Sequence, residues 1–234
     1  MLLLVATATG LVLRSARPEW HLRDYFARLT SWWIVTSVML VVVVTAAWSR
    51  GALFVLLIAL ALIECTRALW SRQRLLLLPA LLWIVVGLGH LQWWLLRGDQ
   101  ASLLLFVWVL LLTQLNDIAQ YFAGKALGRH RIVPQLSPNK TWEGFIGGVV
   151  FSVVTSAVLT PRLLPLSWLQ AIGFGALLSI GGFAGDILFS GLKRRAGIKD
   201  FGSVLPGQGG VLDRLDSATV TAPLIAWYLL AVSS

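Results

Sequence analysis

The chain has 234 residues, of which 58% are hydrophobic and 12% charged, with a mean hydropathy of +0.81. That much apolar surface excludes a water-soluble globular domain, whereas a bilayer absorbs it at roughly 20 residues per crossing helix. The formal net charge is +9, but the basic residues lie between apolar runs, so they point to membrane topology rather than to a nucleic-acid partner.

Eight apolar segments follow in chain order, at 2–13, 31–48, 51–65, 75–96, 101–122, 144–160, 168–191 and 217–233. They predict an all-α integral membrane protein with about eight transmembrane helices. The first and third segments are short, and the first has no basic leader, which argues against a secretory signal. Trp32, Trp33, Trp48, Trp93, Trp94 and Trp168 fall near segment ends, where interfacial anchors are expected. Cys65 is alone, so no intrachain disulfide forms, and inert packing in the membrane is its expected role. No soluble domain, repeat or low-complexity linker interrupts the series.

Sixteen of the nineteen Lys and Arg fall in the first, third, fifth and seventh connections. Arg50, Arg97 and Arg162 stand alone in the second, fourth and sixth. Cytoplasmic loops carry the basic excess, so the odd connections are expected in the cytoplasm and both termini outside.

The acids sharpen this pattern. Glu19, Asp24, Glu64 and Asp99 lie near segment ends in the first hundred residues, and solvated loop or interface charge is their expected role. Asp117, Glu143, Asp186, Asp200, Asp213 and Asp216 share the later stretch with all four lysines, Lys125, Lys140, Lys193 and Lys199. Lysine is a compact point charge suited to phosphate oxygens. Asp186 sits in "LLSIGGFAGDILFSGL", where a carboxylate costs on the order of 2–3 kcal/mol, less near the interface. It is either a functional acid or the ion-pair partner of Lys193 or Arg194. Gly144 and Gly148, like Gly181 and Gly185, are four apart and allow helix backbones to approach.

Asp213 and Asp216 in "DRLDS" are three apart and share a helix face. Such a pair suits Mg²⁺ completed by substrate phosphates, with Asp186 as a third candidate ligand, or simply an acidic helix start. "LPGQGG" before them supplies Gly207, Gly209 and Gly210 for a tight turn against phosphate. No GxxxxGK[ST], HExxH or paired-cysteine site occurs, which argues against a P-loop and against zinc. Upstream, Asn116 and Asp117 end a membrane segment, and "SPNKTWEG" offers Ser137, Lys140, Thr141 and Glu143 after a turn. Lys140 is placed to reach a phosphate, or serves as a headgroup and topology charge. His130 reads as an exposed loop residue.

These residues together resemble the phosphatidate cytidylyltransferase (CDP-diacylglycerol synthase) family. The stretch from Ser190 through "LKRR", "KD", "LPGQGG" and "DRLD" to Ser217 is similar to that family's signature. "NDIAQYFAGKALGRHRIVPQLSPNKTWEG" is similar to its upstream block. The resemblance covers about residues 110 to 234, and the first hundred match only as membrane helices. It implies a multispanning, dimeric enzyme that needs Mg²⁺ and converts CTP and phosphatidate to CDP-diacylglycerol and pyrophosphate. Asp186, Asp213 and Asp216 then resemble the metal-associated acids, and Ser190, Lys193 and Lys199 their polar neighbours. This chain departs from the family at Gln208, where a His usually precedes the paired glycines, and at Asn116. Gln hydrogen-bonds but does not titrate near neutral pH.

The resulting expectation is a membrane scaffold over 1–100 and a catalytic membrane region over 101–234. Catalysis is expected from Asp186, Asp213, Asp216, Lys193 and Lys199, with the three aspartates on Mg²⁺ and a second, monovalent cation as a further candidate. Substrate contacts are expected from Asp117, Ser137, Lys140, Thr141, Glu143, Ser190, Arg194, Gly207, Gln208, Gly209, Gly210 and Arg214. The expected partners are CTP, phosphatidate or a related lipid phosphate, membrane lipids and a second copy of the chain, with no nucleic acid. The expected location is a bacterial inner membrane with the site facing the cytoplasm. A CTP-dependent lipid-alcohol kinase, a transporter with Asp186 on an ion path and an inactive paralogue are the competing readings.

Overall fold

A computed structural model of the chain describes residues 45–205 and 209–233, together with Ser37 and Val41. The expected segment 2–13 and nearly all of 31–48 lie outside the described residues, as do Gly207 and Gln208. Among the described residues there are six helices and no β-strand: α1 Ala47–Leu69, α2 Arg74–Arg97, α3 Gln100–Leu127, α4 Trp142–Leu163, α5 Trp168–Arg195 and α6 Leu212–Ser233. All six are long and apolar enough to cross a membrane. They correspond to the last six segments expected from the sequence.

The chain signals its own boundaries. Asp99 caps α3 by accepting from Ser102 N, Thr141 caps α4 by accepting from Gly144 N, and Ser167 with Gln170 forms a capping box on α5. Gly98 ends α2 at φ 73°, a left-handed conformation that favours glycine. One boundary moves. A break was expected at Arg50, but α1 begins at Ala47 and runs through Arg50 and Gly51. A Cβ on Gly51 would lie 2.8 Å from Leu96 Cδ2, so the glycine serves the packing of α1 on α2.

The 28 residues of α3 and of α5 make helices of roughly 42 Å, against a hydrocarbon core of roughly 30 Å. Both therefore project polar turns beyond the apolar layer. Three connections, 70–73, 128–141 and 196–211, meet at one end of the bundle. Arg72 Nη1 donates to Ala196 O (2.9 Å), Gln73 Nε2 to Arg195 O (3.0 Å) and Arg194 Nε to Leu136 O (3.2 Å). The two longer connections are the ones that carry the motifs.

Close backbone approach holds the helices in place. Gly87 of α2 abuts the backbone of Thr219 in α6, where a Cβ would overlap it. Gly144 and Gly148 face α3, and Gly181 and Gly185 face α6, as their spacing of four implies. Between α3, α4 and α5 lies a polar core. Asn116 Oδ1 accepts from Ser152 Oγ (3.1 Å) and Ser179 Oγ (2.7 Å), and all three residues are fully buried. Trp48, Trp93 and Trp168 are exposed near helix ends, but Trp94 is packed in the core, so it is not an interfacial anchor. Cys65 is fully buried among apolar neighbours, as expected.

Candidate active site

The start of α6 and the end of α5 carry the densest charge. Lys193 Nζ donates to Asp213 Oδ1 at 2.9 Å and lies 3.7 Å from Asp216 Oδ2. Asp213 Oδ2 accepts from the backbone N–H of Phe201 (2.8 Å) and of Gly210 (2.9 Å). Three donors thus hold Asp213. Asp216 Oδ1 accepts from Ser217 N (2.8 Å), which leaves Oδ2 facing Lys193 at the longer distance. The absence of a Cβ at Gly185 lets α5 approach α6 here: a Cβ would lie 2.9 Å from Asp216 O.

Asp186 stands on the next face of α5. Its Oδ2 lies 2.5 Å from Lys140 Nζ, and Ser190 Oγ donates to its Oδ1 at 3.4 Å. An ion pair with Lys193 or Arg194 was the alternative to a functional role for Asp186; its ion pair in the structure is with Lys140, which the 128–141 connection brings across from α4. Lys140 also lies 3.4 Å from Gln120 Oε1 and over the Phe183 ring. Asp117 of α3 completes the group. It lies within electrostatic range of Asp186, Lys140 and Arg214, and Asp216 is within range of Asp186 and Asp117.

A cavity of about 240 Å³ opens between α3 and α6 at this point, lined by Asp117, Tyr121 and Phe122 on one side and Asp213, Arg214 and Asp216 on the other. Drug-sized pockets run to roughly 300–1,000 Å³, so this space fits part of a nucleotide or a lipid headgroup rather than a whole nucleotide lipid. Asp117 Oδ1 and Arg214 Nε are buried beside it without a hydrogen-bond partner in the structure. One carboxylate oxygen and one guanidinium N–H are thus left unsatisfied beside the cavity.

The three-aspartate cation site is not assembled. Among the described residues no group of three His, Cys, Asp or Glu is arranged to hold a metal ion. Asp213 is committed to Lys193 and two backbone donors, and Asp186 is separated onto Lys140. The other expected residues fall into three sets. Ser190 and Arg214 belong to the group. Thr141 is the cap of α4, and Ser137 closes a turn, with its N–H on Val133 O (2.9 Å). Glu143 closes the 128–141 connection on itself, accepting from Arg129 N (3.0 Å) and His130 N (3.2 Å) and pairing with His130 Nδ1 (2.6 Å). His130 is exposed, as expected, but it is paired. Arg194 ties the two motif-bearing connections together through Leu136 O and Ile198 O, and Lys199 is exposed. Gly209 is at φ 85° with its carbonyl on Leu205 N, and Gly210 is spent on Asp213.

Sequence reasoning missed Glu64. Expected as a solvated interface charge, it is buried, and its Oε1 and Oε2 accept from Val211 N (3.0 Å) and Leu212 N (2.9 Å). The available signal was its place in an apolar run, four residues after Leu60 and one before Cys65, with no basic residue adjacent.

Comparison with known proteins bears on this geometry. The chain is 45% identical over 152 residues to the uncharacterized protein YnbB of Escherichia coli (strain K12), covering 63% of this chain and 51% of that protein. It is 36% identical over 175 residues to a phosphatidate cytidylyltransferase of Staphylococcus haemolyticus (strain JCSC1435), covering 72% and 66%. It is 38% identical over 137 residues to a phosphatidate cytidylyltransferase of Bacillus subtilis (strain 168), covering 58% and 51%. The aligned part thus spans half to two thirds of the length of these relatives. The cytidylyltransferase family matches residues 21–232, which takes in every described helix and both motif-bearing connections. With nearly its whole length matched and the charged group in the two motifs that first suggested the resemblance, the chain belongs to the cytidylyltransferase family.

Proposed function

We propose that the protein transfers the cytidylyl group of CTP to phosphatidate or a related lipid phosphate, giving CDP-diacylglycerol and pyrophosphate. The observation that carries this reading is the charged group at one end of six apolar helices: Asp117, Asp186, Asp213 and Asp216 set against Lys140, Lys193 and Arg214, beside a cavity between two of those helices. A lipid phosphate and a nucleotide triphosphate are both polyanions, and such a place offers cations to both at the depth of a headgroup. Membership in the family and the named activity of the staphylococcal and Bacillus relatives support the choice of substrates.

An oxygen of the lipid phosphate attacks the α-phosphorus of CTP, and the bond from that phosphorus to the bridging oxygen breaks as pyrophosphate leaves. The attacking group is already largely ionised, since a phosphate monoester has its second pKa near ~6. No side-chain nucleophile is required, and positioning with charge neutralisation is the protein's task. Arg214, with its unpartnered Nε at the cavity, binds a phosphate oxygen. Lys140 moves from Asp186 toward the nucleotide, as its partly exposed position allows. Asp213 holds Lys193 in place.

Four carboxylates against three cations leave the group short of positive charge, and Asp117 Oδ1 is an oxygen without a partner. This donor set fits Mg²⁺, which takes one or two carboxylates plus substrate phosphates. Of the three acids expected on the ion, Asp213 is engaged by Lys193 and Asp186 by Lys140, so Asp216 with Asp117 across the cavity would hold it, Asp186 would join once Lys140 leaves, and a monovalent cation is a further candidate. When bound, Mg²⁺ supplies charge neutralisation on the CTP oxygens. We assign the chemistry to residues 101–234, the 128–141 and 196–211 connections to the cytoplasmic side of a bacterial inner membrane on their basic excess, and a homodimer as the assembly.

The test is turnover by purified protein with phosphatidate, and in parallel with diacylglycerol as the alcohol acceptor, and CTP radiolabelled at either the α- or the γ-phosphate. Label in lipid from the α-position is expected. Label only from the γ-position establishes a lipid kinase, and none from either position rejects the reading. Accessibility labelling of Ser137→Cys and Ser203→Cys from each side of the membrane tests the orientation.

A further inference from the structure

We infer that Glu64, in the first described helix, is a positioning residue for the acids of α6. This rests on the cytidylyl-transfer reading for its functional half, and on geometry alone for its structural half. Glu64 is buried, and its two carboxylate oxygens accept from the N–H groups of Val211 and Leu212. Those N–H groups belong to the donors that a helix start leaves without intrahelical partners. A residue 147 positions away in the chain therefore caps α6. Capping residues ordinarily lie within the first turn of the helix they serve.

Glu64 has no cationic partner among the described residues; its charge is met by backbone dipoles and the helix start. Two glycines are shaped to it. A Cβ on Gly202 or on Gly210 would overlap the Glu64 carboxylate. Gly210 N in turn donates to Asp213, as does Phe201 N, next to Gly202. One face of this backbone is thus held by Glu64 and the other by Asp213. Leu212 directly precedes Asp213, and Asp216 follows one turn later. Glu64 sets the height and angle at which α6 presents both acids to Lys193 and to the cavity. The helix that the family resemblance treats as membrane scaffold contributes to the geometry of the reacting group.

The experiment uses the full chain in lipid nanodiscs, in a Cys65→Ala background. Glu64→Gln keeps size and one acceptor but sets an amide N–H against a backbone N–H. The expected result is about a fivefold rise in the rate at which a maleimide labels Leu205→Cys, a position buried in the parent, reporting local opening. With it, kcat per folded molecule should fall about tenfold or more while KM for CTP changes by less than about threefold, since misplacement of reacting groups costs rate rather than encounter. Gly202→Ala attacks the same contact while keeping the carboxylate, and it replaces Glu64→Gln should that variant not insert. In Glu64→Ala, where the space is free, Gly202→Ala should add little, a non-additivity that marks direct contact. Labelling and kcat both within about twofold of the parent overturn the inference. A loosened 196–211 connection with unchanged kcat overturns it too, because Glu64 would then hold the fold without placing the acids. If the parent shows no cytidylyl transfer, the kcat arm fails with that reading, and the labelling and non-additivity arms decide the clamp separately.

Discussion

Two lysine–carboxylate assemblies stand side by side at the polar end, and they differ in depth. Lys193 and Asp213 have side chains 10% and 2% exposed, whereas Lys140 and Asp186 are 20% and 27% exposed. Asp213 also carries two backbone donors, while Asp186 has only a long contact from Ser190 beyond its lysine. A buried pair held by two further backbone donors serves to fix structure. A partly exposed pair between a connection and a helix is free to exchange partners. Three aspartates that resemble one ligand set thus differ in their surroundings: Asp213 is held by three donors, and Asp186 and Asp216 by fewer.

The largest effect should come from breaking the deep pair. Lys193→Met leaves Asp213 and Asp216 without their cation, and removing one partner of a buried ion pair costs about 3–5 kcal/mol. Thermal or detergent unfolding should show that loss, with activity falling as the folded fraction does. If Lys193→Met folds as well as the parent, the deep assembly is not structural.

Asp186→Asn sharpens the other side of the contrast. Its kcat should drop about a hundredfold while the unfolding midpoint stays within a few degrees, because the amide still meets Ser190 and the site is partly solvated. A variant that unfolds instead would make the two pairs alike. Lys140→Gln is expected to be milder, lowering kcat/KM for CTP about tenfold with stability unchanged; steady-state kinetics over a CTP series check it.

The smallest effect belongs to the opposite end. Asp99 caps α3, and hydrogen bonds from Ser102 N and then Ser102 Oγ hold its carboxyl below the ordinary 3.8. A depressed carboxylate contributes stability that is present above its unfolded value and lost as pH falls through the folded one. Asp99→Asn, whose amide also caps, should keep activity within about twofold. Any stability difference from the parent should shrink below about pH 4. A large activity loss here would mean that the polar end does not act alone.

The six described helices were legible because apolar runs of bilayer length announce themselves, and because Gly98, Thr141 and Ser167 end or start helices where their chemistry predicts. The charged group was legible in composition: Asp117, Lys140, Asp186, Lys193, Asp213, Arg214 and Asp216 each stood out as a charged residue in or beside an apolar run. Partner choice was not. Lys140 and Asp186 are 46 positions apart in the chain, and the packing of α4 on α5, with Phe145 against Phe183 and Gly175 against Ser152, brings them together. Glu64 escaped for a similar reason. A carboxylate near a helix end looks the same in sequence whether water or another helix start satisfies it. Thr141 and Glu143 show the reverse error, in which local capping and loop closure occupy residues that looked free to bind a substrate.

The buried amide of Asn116 has a consequence for how the chain is made. Its hydroxyl partners lie 36 and 63 residues downstream, on α4 and α5. At about 5–20 residues per second, synthesis delivers the second of them only about 3–13 s after Asn116 itself. Until then α3 carries into the membrane a polar group whose partners have not yet been translated. The insertion machinery should therefore retain α3 rather than release it to lipid. Chains arrested before Ser179 should crosslink from α3 to that machinery, and chains extended beyond α5 should not.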